Sequence, residues 1–323
     1  MQSVLSDFVA ELPPELTGAL TFHLPMELLA LGEAGASQST LDRRTEVRLS
    51  EAYAAGLIDP PLYRWAVERY ARAGEAALSS NAEHRRLVIA EIEPLADGLA
   101  GAAFHGLIRV GYGAWHRDAK ELARGFAYLR TRRQVLSVGL CGPVSGQHDF
   151  PTPDRVAGAT VFDQLNLAAG TGACLQSTSG VTVRSLAVAA TNLVERNPSS
   201  FVAVHALTSF HALCELHNLL LGEPPADESI TSPLSAWWKS FSIAVQACSI
   251  VVSSYAPEAL AAYDGSLGPA HTIDEVVQAS LRSDETHDVK VAVALRRLVA
   301  FGVLNEDEAV NVGGARLAAG QIL

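Results

Sequence analysis

The chain has 323 residues, 49% hydrophobic and only 18% charged, which supplies apolar material for one large core or two closely merged ones. Its 35 acidic and 24 basic residues give a formal charge of -11 without any long basic run, so a phosphate-backbone binder is excluded as a first choice. The longest apolar run, Ile243 to Val252, contains Gln246 and Ser249 and is too short to span a bilayer, so no membrane role is expected.

Asp7 and Glu11 interrupt the N-terminal stretch and no basic segment precedes an apolar run, so no secretory signal is expected. Cys141, Cys174, Cys214 and Cys248 are widely separated and form no C-x-x-C pair, which suits reduced thiols in a cytoplasmic protein. From there the chain reads as helix after helix. Phe22 to Leu31 carries Pro25 in a first turn, where proline is tolerated, and Gly32 or Gly35 can end the segment, which leaves His23 at the helix mouth. Thr40 to Ala55 holds Arg43, Arg44, Glu46, Arg48 and Glu51 and reads as a solvated charged face. Pro60-Pro61 breaks the pattern; helical spacing resumes over Leu62 to Ala77 and Glu83 to Leu99.

The stretch Gly101 to Gly113 places small residues at 101, 102, 103 and 106, where another helix or a ligand can approach the backbone closely. Within it His105 and Arg109 are i, i+4 neighbours. Ser137 to Asp154 is rich in glycine and proline and reads as a lid, or as a linker over 137–153 between possible halves 1–136 and 154–323 of a single 1–323 domain. Gly170-Thr171-Gly172 is a weak match to a phosphate loop, because Leu175 stands where the third glycine belongs and no strand precedes it. A Walker loop and a nucleophile elbow are both missing.

Phe201 to His217 is strongly apolar with three embedded histidines. His205 and His211 lie six residues apart, turned about 120° from one another on a helix, so they cannot easily share one ion. One is expected to be a ligand and the other a core residue, with His217 exposed at the polar end. Trp237-Trp238 marks a further helix, Gly265 to Pro269 a turn, and Thr272-x-x-Glu275 a capping box. Asp284 to Val291 then opens a helix that becomes apolar, and the spacing sets His287 and Lys290 on one buried face. A lysine there either packs its stem and sends the amine out to Asp284 or Glu285, or it is paired, neutralised or modified. Leu304 to Leu323 reads as a closing helix or tail.

Four blocks carry a family resemblance: Phe22-His23-Leu24-Pro25-Met26, Phe104-His105-Gly106-Leu107-Ile108-Arg109, Val204-His205-Ala206-Leu207-Thr208 and Glu285-Thr286-His287-Asp288-Val289-Lys290. In this order, with one histidine each, they resemble the signature blocks of the questin oxidase-like family, which includes fungal enzymes that open anthraquinone rings. The resemblance implies metal-ligand roles for His23, His105, His205 and His287, with Lys290 as a carboxylated lysine, around Fe(II). Phe22, where a small polar residue is usual, and Thr286, where an acidic one is, depart from the pattern. A buried neutral amine can add carbon dioxide and so supply a carboxylate-like oxygen to a metal, which accounts for a lysine on an apolar face. The expectation is therefore an all-α protein with a metal site between helices. As an iron-dependent oxygenase it would cleave the ring of a quinone or hydroquinone-type aromatic polyketide with dioxygen, Arg109 steering a phenolate. The alternatives are an NADPH-dependent Baeyer-Villiger-type monooxygenase and a non-catalytic helical binder of an aromatic ligand.

Overall fold

A computed structural model describes residues 12–17, 20–136, 165, 181–227, 232–254 and 272–320. The protein is mainly helical, as expected. Among the described residues the helices are α1 Leu24–Glu33, α2 Gln38–Ala55, α3 Tyr63–Leu78, α4 Ala82–Ile92, α5 His105–His116, α6 Ala119–Thr131, α7 Val183–Arg196, α8 Phe201–Leu221, α9 Ser235–Ser254, α10 Ile273–Ser280, α11 Thr286–Ala300 and α12 Glu306–Gly320. Three two-residue strands, β1 Glu15–Leu16, β2 Leu20–Thr21 and β3 Leu57–Ile58, form an antiparallel sheet in the order β2-β1-β3.

Most boundaries have a local cause. Ser37, Asn81, Asp118 and Ser200 each turn a side-chain oxygen onto a backbone N–H of the first turn that follows, satisfying a donor the helix cannot. Thr272 and Glu275 form the capping box that starts α10. The spacing over Glu83 to Leu99 does not continue as one helix: α4 ends at Ile92 and a 3-10 helix follows over Glu93–Gly98. Pro94 is the reason, since it has no N–H to donate and its ring crowds the carbonyl four residues back. Helices α6 and α7 escaped the sequence reading, although the Asp118 cap of α6 is a usable start signal. The glycine- and proline-rich stretch 137–154, the Gly170-Thr171-Gly172 motif, the turn at 265–269, Cys141 and Cys174 lie outside the described residues. Cys214 and Cys248 are free and buried.

Helix α8 is the axis of the core. It is apolar on every side, so it must be surrounded, and Val202 through His217 are buried without interruption. Helices α5, α7, α9 and α11 pack on it, α1 packs on α11, and α6 lies along α5. Helices α1, α5, α8 and α11 thus converge from both ends of the chain. Glycine sets the closest crossing: a Cβ on Gly111 of α5 would fall 2.3 Å from both Cα and Cβ of Ala212 in α8. Gly111→Ala is expected to lower stability by roughly 1–3 kcal/mol, because neither backbone can yield without repacking. Gly314→Ala in α12, where nothing lies within 4 Å of the new methyl, should be neutral or stabilising. Urea unfolding of both variants checks the contrast, and equal midpoints would refute the close crossing.

The expectation of a solvated α2 is corrected at two positions. Arg44 is buried, donating from Nη1 to the Asp284 carbonyl at 2.7 Å and from Nη2 to that of Ser283. Arg48 donates from Nε to the buried Glu27 carboxylate at 3.0 Å and from Nη2 to the Asp284 carbonyl at 2.8 Å. These arginines tie α1 to the turn that opens α11. No helix among the described residues is long and apolar enough to cross a membrane.

Candidate metal centre

The four converging helices each deliver a histidine from their N-terminal ends. His23 immediately precedes α1, His105 opens α5, His205 lies in the second turn of α8 and His287 in the first turn of α11. The rings gather closely: centroids are 4.7 Å apart for His23 and His105, 4.5 Å for His105 and His205, 4.9 Å for His205 and His287, and 4.8 Å for His23 and His287. Ligand atoms of His23, His105 and His205 all lie within 4.8 Å of one another. His287 flanks this trio. Lys290, only 1% exposed, sets Nζ 3.2 Å from Nδ1 of His23.

Backbone carbonyls and a carboxylate fix how the rings face. His105 Nδ1 lies 2.5 Å from the Ala102 carbonyl and His205 Nδ1 2.7 Å from that of Phe201. A carbonyl can only accept, so each Nδ1 carries the proton and each Nε2 presents a lone pair. His287 follows suit, with Nδ1 2.8 Å from Glu285 Oε1. The outcome is unusual for a packed core. Nε2 of His205 and Nε2 of His105 face each other at 2.9 Å with no hydrogen between them, His23 Nε2 lies 2.8 Å from the same His105 atom, and buried His287 Nε2 has no partner. Buried polar atoms are normally hydrogen-bonded, and His23, His105 and His205 are arranged so that they could hold a metal ion.

Electrostatics disfavour a proton in that role. Burial holds the imidazoles of His23, His205 and His287 well below their usual range, and the neighbouring Lys290 charge or other imidazoles push the same way. For His105 burial, reinforced by the Lys290 charge, brings the value to about 3. Burial also lowers the Lys290 amine to about 8, although the Glu27 and Glu285 carboxylates oppose it. Four neutral imidazoles make a donor set that a divalent transition metal fits, beside an amine whose proton burial loosens.

Supporting contacts hold the donors in place. Residues Ala102, Ala103 and Phe104 all have positive φ, 50°, 50° and 66°, a short left-handed turn that non-glycine residues rarely adopt. That turn aims the Ala102 carbonyl at His105. Arg316 of α12 donates from Nε to Asp288 Oδ1 at 2.7 Å, from Nη1 to the Pro198 carbonyl at 2.6 Å, and from Nη2 to Glu285 Oε2, joining the start of α11 to the turn before α8. Phe201, 41% exposed, sits 3.9 Å from the His205 ring and about 6 Å from those of His105 and His287, so it forms the solvent-side lip of the centre. The Thr286 hydroxyl, beside His287, is buried without a partner.

The remaining histidines lie elsewhere. His211 Nε2 is 3.2 Å from Glu215 Oε1, and that carboxylate also accepts both Nε and Nη2 of Arg297, at 2.6 and 3.1 Å. His217, expected at the surface, is buried, with Nδ1 3.2 Å from the Glu223 carbonyl, because α8 stays enclosed to its last turn. Arg109 points away from a substrate-steering role: its Nε and Nη2 donate to Glu121 at 2.7 and 3.3 Å, inside the α5–α6 interface. Lys290 does not reach out to Asp284 or Glu285. The sequence offered no signal for Arg316 or Arg48 as supports, since long-range pairs leave no local pattern. Comparison with protein-family models, curated proteins and solved structures finds no match. The centre is therefore read from its own geometry.

Proposed function

We propose that the protein is a mononuclear non-haem iron oxygenase that opens the ring of a quinone or hydroquinone-type aromatic substrate. The observation that carries this reading is the convergence of four imidazoles from four helices, three of them with Nδ1 protonated and Nε2 free, beside a fully buried lysine. The resemblance of the four histidine blocks to questin oxidase-like sequences supplies the reaction class. His23, His105, His205 and His287 would hold the metal, and Lys290 would join them as a carbamate: its free amine bonds to the carbon of carbon dioxide, one N–H proton leaves, and an N-carboxylate remains. Iron(II) bound there supplies electron exchange with dioxygen.

The protein's own groups do the rest. Ala102, Phe201 and Glu285 keep the protons of three imidazoles on Nδ1, so the ring faces stay fixed during turnover. The Phe201 ring offers a planar apolar surface to a flat substrate and limits water at the open side.

The test is metal analysis of protein purified without added metal, followed by oxygen uptake with hydroquinone-type aromatics, with and without NADPH. Near-stoichiometric iron and NADPH-independent uptake are expected. An NADPH requirement would favour the monooxygenase alternative, and metal-free protein that stays inactive after anaerobic iron loading would defeat the proposal. Lys290→Ala and Lys290→Arg are both expected to be inactive, because arginine keeps a cation but cannot be carboxylated. Bicarbonate or a short carboxylic acid should restore part of the iron binding to Lys290→Ala alone. Full activity in Lys290→Arg would remove the carbamate from the scheme.

A further inference from the structure

A second group of buried polar atoms lies one helical turn from the histidines and plays no part in the function above. Arg109 follows His105 by four residues on α5, and its guanidinium is buried against Glu121 of α6. Nε and Nη2 are spent on that carboxylate, but Nη1 is enclosed with no acceptor. Arg124, three residues beyond Glu121 and so on the same side of α6, also buries an Nη1 without a partner. The third member is Tyr63, the first residue of α3, whose hydroxyl is buried and unpaired. The Tyr63 ring lies 6.4 Å from that of Tyr128, which follows Arg124 by four residues on α6, so Tyr63 packs beside the α6 face that carries Glu121 and Arg124.

These three groups share a chemistry: guanidinium nitrogens can only donate, and a phenol this far from its ionisation donates readily. Burial holds the Tyr63 hydroxyl above its ordinary value, so it keeps its proton. Charge points the same way. Arg109 pairs with Glu121 and Arg124 adds a second guanidinium on the same side of α6, while the neighbouring ions are engaged: Asp59 with Arg64 at 3.0 Å, and Glu15 with Arg132 and the Tyr128 hydroxyl. Buried donors left without an acceptor are costly, more so when charged, so three together indicate something that supplies oxygen lone pairs.

We infer that Tyr63, Arg109 and Arg124 form a binding site for a small oxyanion, with the guanidinium pair neutralising it and the phenol fixing its orientation. The class is a compact anion with two or more acceptor oxygens, organic carboxylate or inorganic phosphate or sulfate; bidentate guanidinium geometry suits either. This site is independent of the metal proposal.

The test uses the full chain stripped of metal with a chelator and exchanged into a chloride buffer. Sulfate, phosphate and acetate are titrated separately at constant ionic strength, with thermal unfolding and calorimetry as readouts. A saturable rise in melting temperature with at least one of them is expected, and which one assigns the inorganic or organic source. Tyr63→Phe and Arg124→Met should bind that anion at least 10-fold more weakly. In chloride alone Tyr63→Phe should melt no lower than wild type, since it removes only a hydroxyl that has no partner. His205→Ala, which disrupts the metal centre, should keep the anion response, so failure of one reading does not carry the other. Equal responses in wild type and both variants, a non-saturable response, or a clear loss of stability in Tyr63→Phe in chloride would each overturn the inference.

Discussion

His205→Ala is expected to lose most of its bound metal, while His211→Ala, only six residues further along α8, keeps it. The contrast follows from where each ring goes. His205 directs Nε2 at His105 from 2.9 Å with its Nδ1 proton already committed to the Phe201 carbonyl. His211 instead faces Trp115, 5.2 Å away between ring centres, and Glu215, whose charge Arg297 balances. Removing one ligand of a small set leaves an incomplete shell, and even losing a group that merely orients a ligand typically costs 10–100-fold in affinity, so the His205→Ala deficit should exceed that range. His105→Ala should behave like His205→Ala, because Nε2 of His105 lies within 3 Å of two other histidines. Metal content by elemental analysis, on variants shown by circular dichroism to be folded, decides it. Metal retained in His205→Ala but lost in His211→Ala would place the centre around Glu215 instead.

Much of this architecture was legible because it is periodic. Apolar spacing located α1, α3, α5, α8 and α11, and the capping box at Thr272 marked the start of α10. The spacing of His287 and Lys290 put both on one buried face, and the six-residue gap between His205 and His211 separated their roles before any coordinates. What stayed hidden is non-local. Arg44 and Arg48 look like ordinary surface charges of an exposed helix, and only the fold shows that the Ser283 and Asp284 carbonyls accept from them across some 240 residues. The same holds for Arg109: its spacing from His105 suggested a shared site, but Glu121, on the next helix, captures its guanidinium. The left-handed turn Ala102-Ala103-Phe104 was equally invisible, because its residues carry no glycine signal for positive φ.

Metal-free protein is expected to lose stability steeply as the pH drops below about 6.5, in a range where few carboxylates titrate. Six histidines have folded-state values below their ordinary one: burial lowers His23, His105, His205 and His287 in the centre, and His116 and His217 outside it. The sign follows from proton counts. An unfolded histidine takes up a proton near pH 6.5, whereas the folded one resists until about 3 for His105 and about 4 for His116. Between those limits the unfolded state binds more protons, so stability is complete above pH 6.5 and drains away as the pH falls. For His116 alone the gap amounts to roughly 3 kcal/mol at its full extent, and the other five histidines push the same way. Acid unfolding should therefore set in well before the carboxylates protonate. His116→Phe, which removes one titrating ring outside the metal centre, should flatten the dependence without abolishing it. Urea unfolding of stripped protein at pH 7.5, 6.0 and 5.0 measures the slope; a stability unchanged across that series would mean that these imidazoles reach protons in the folded state, and that the core around them is far more open than its burial implies.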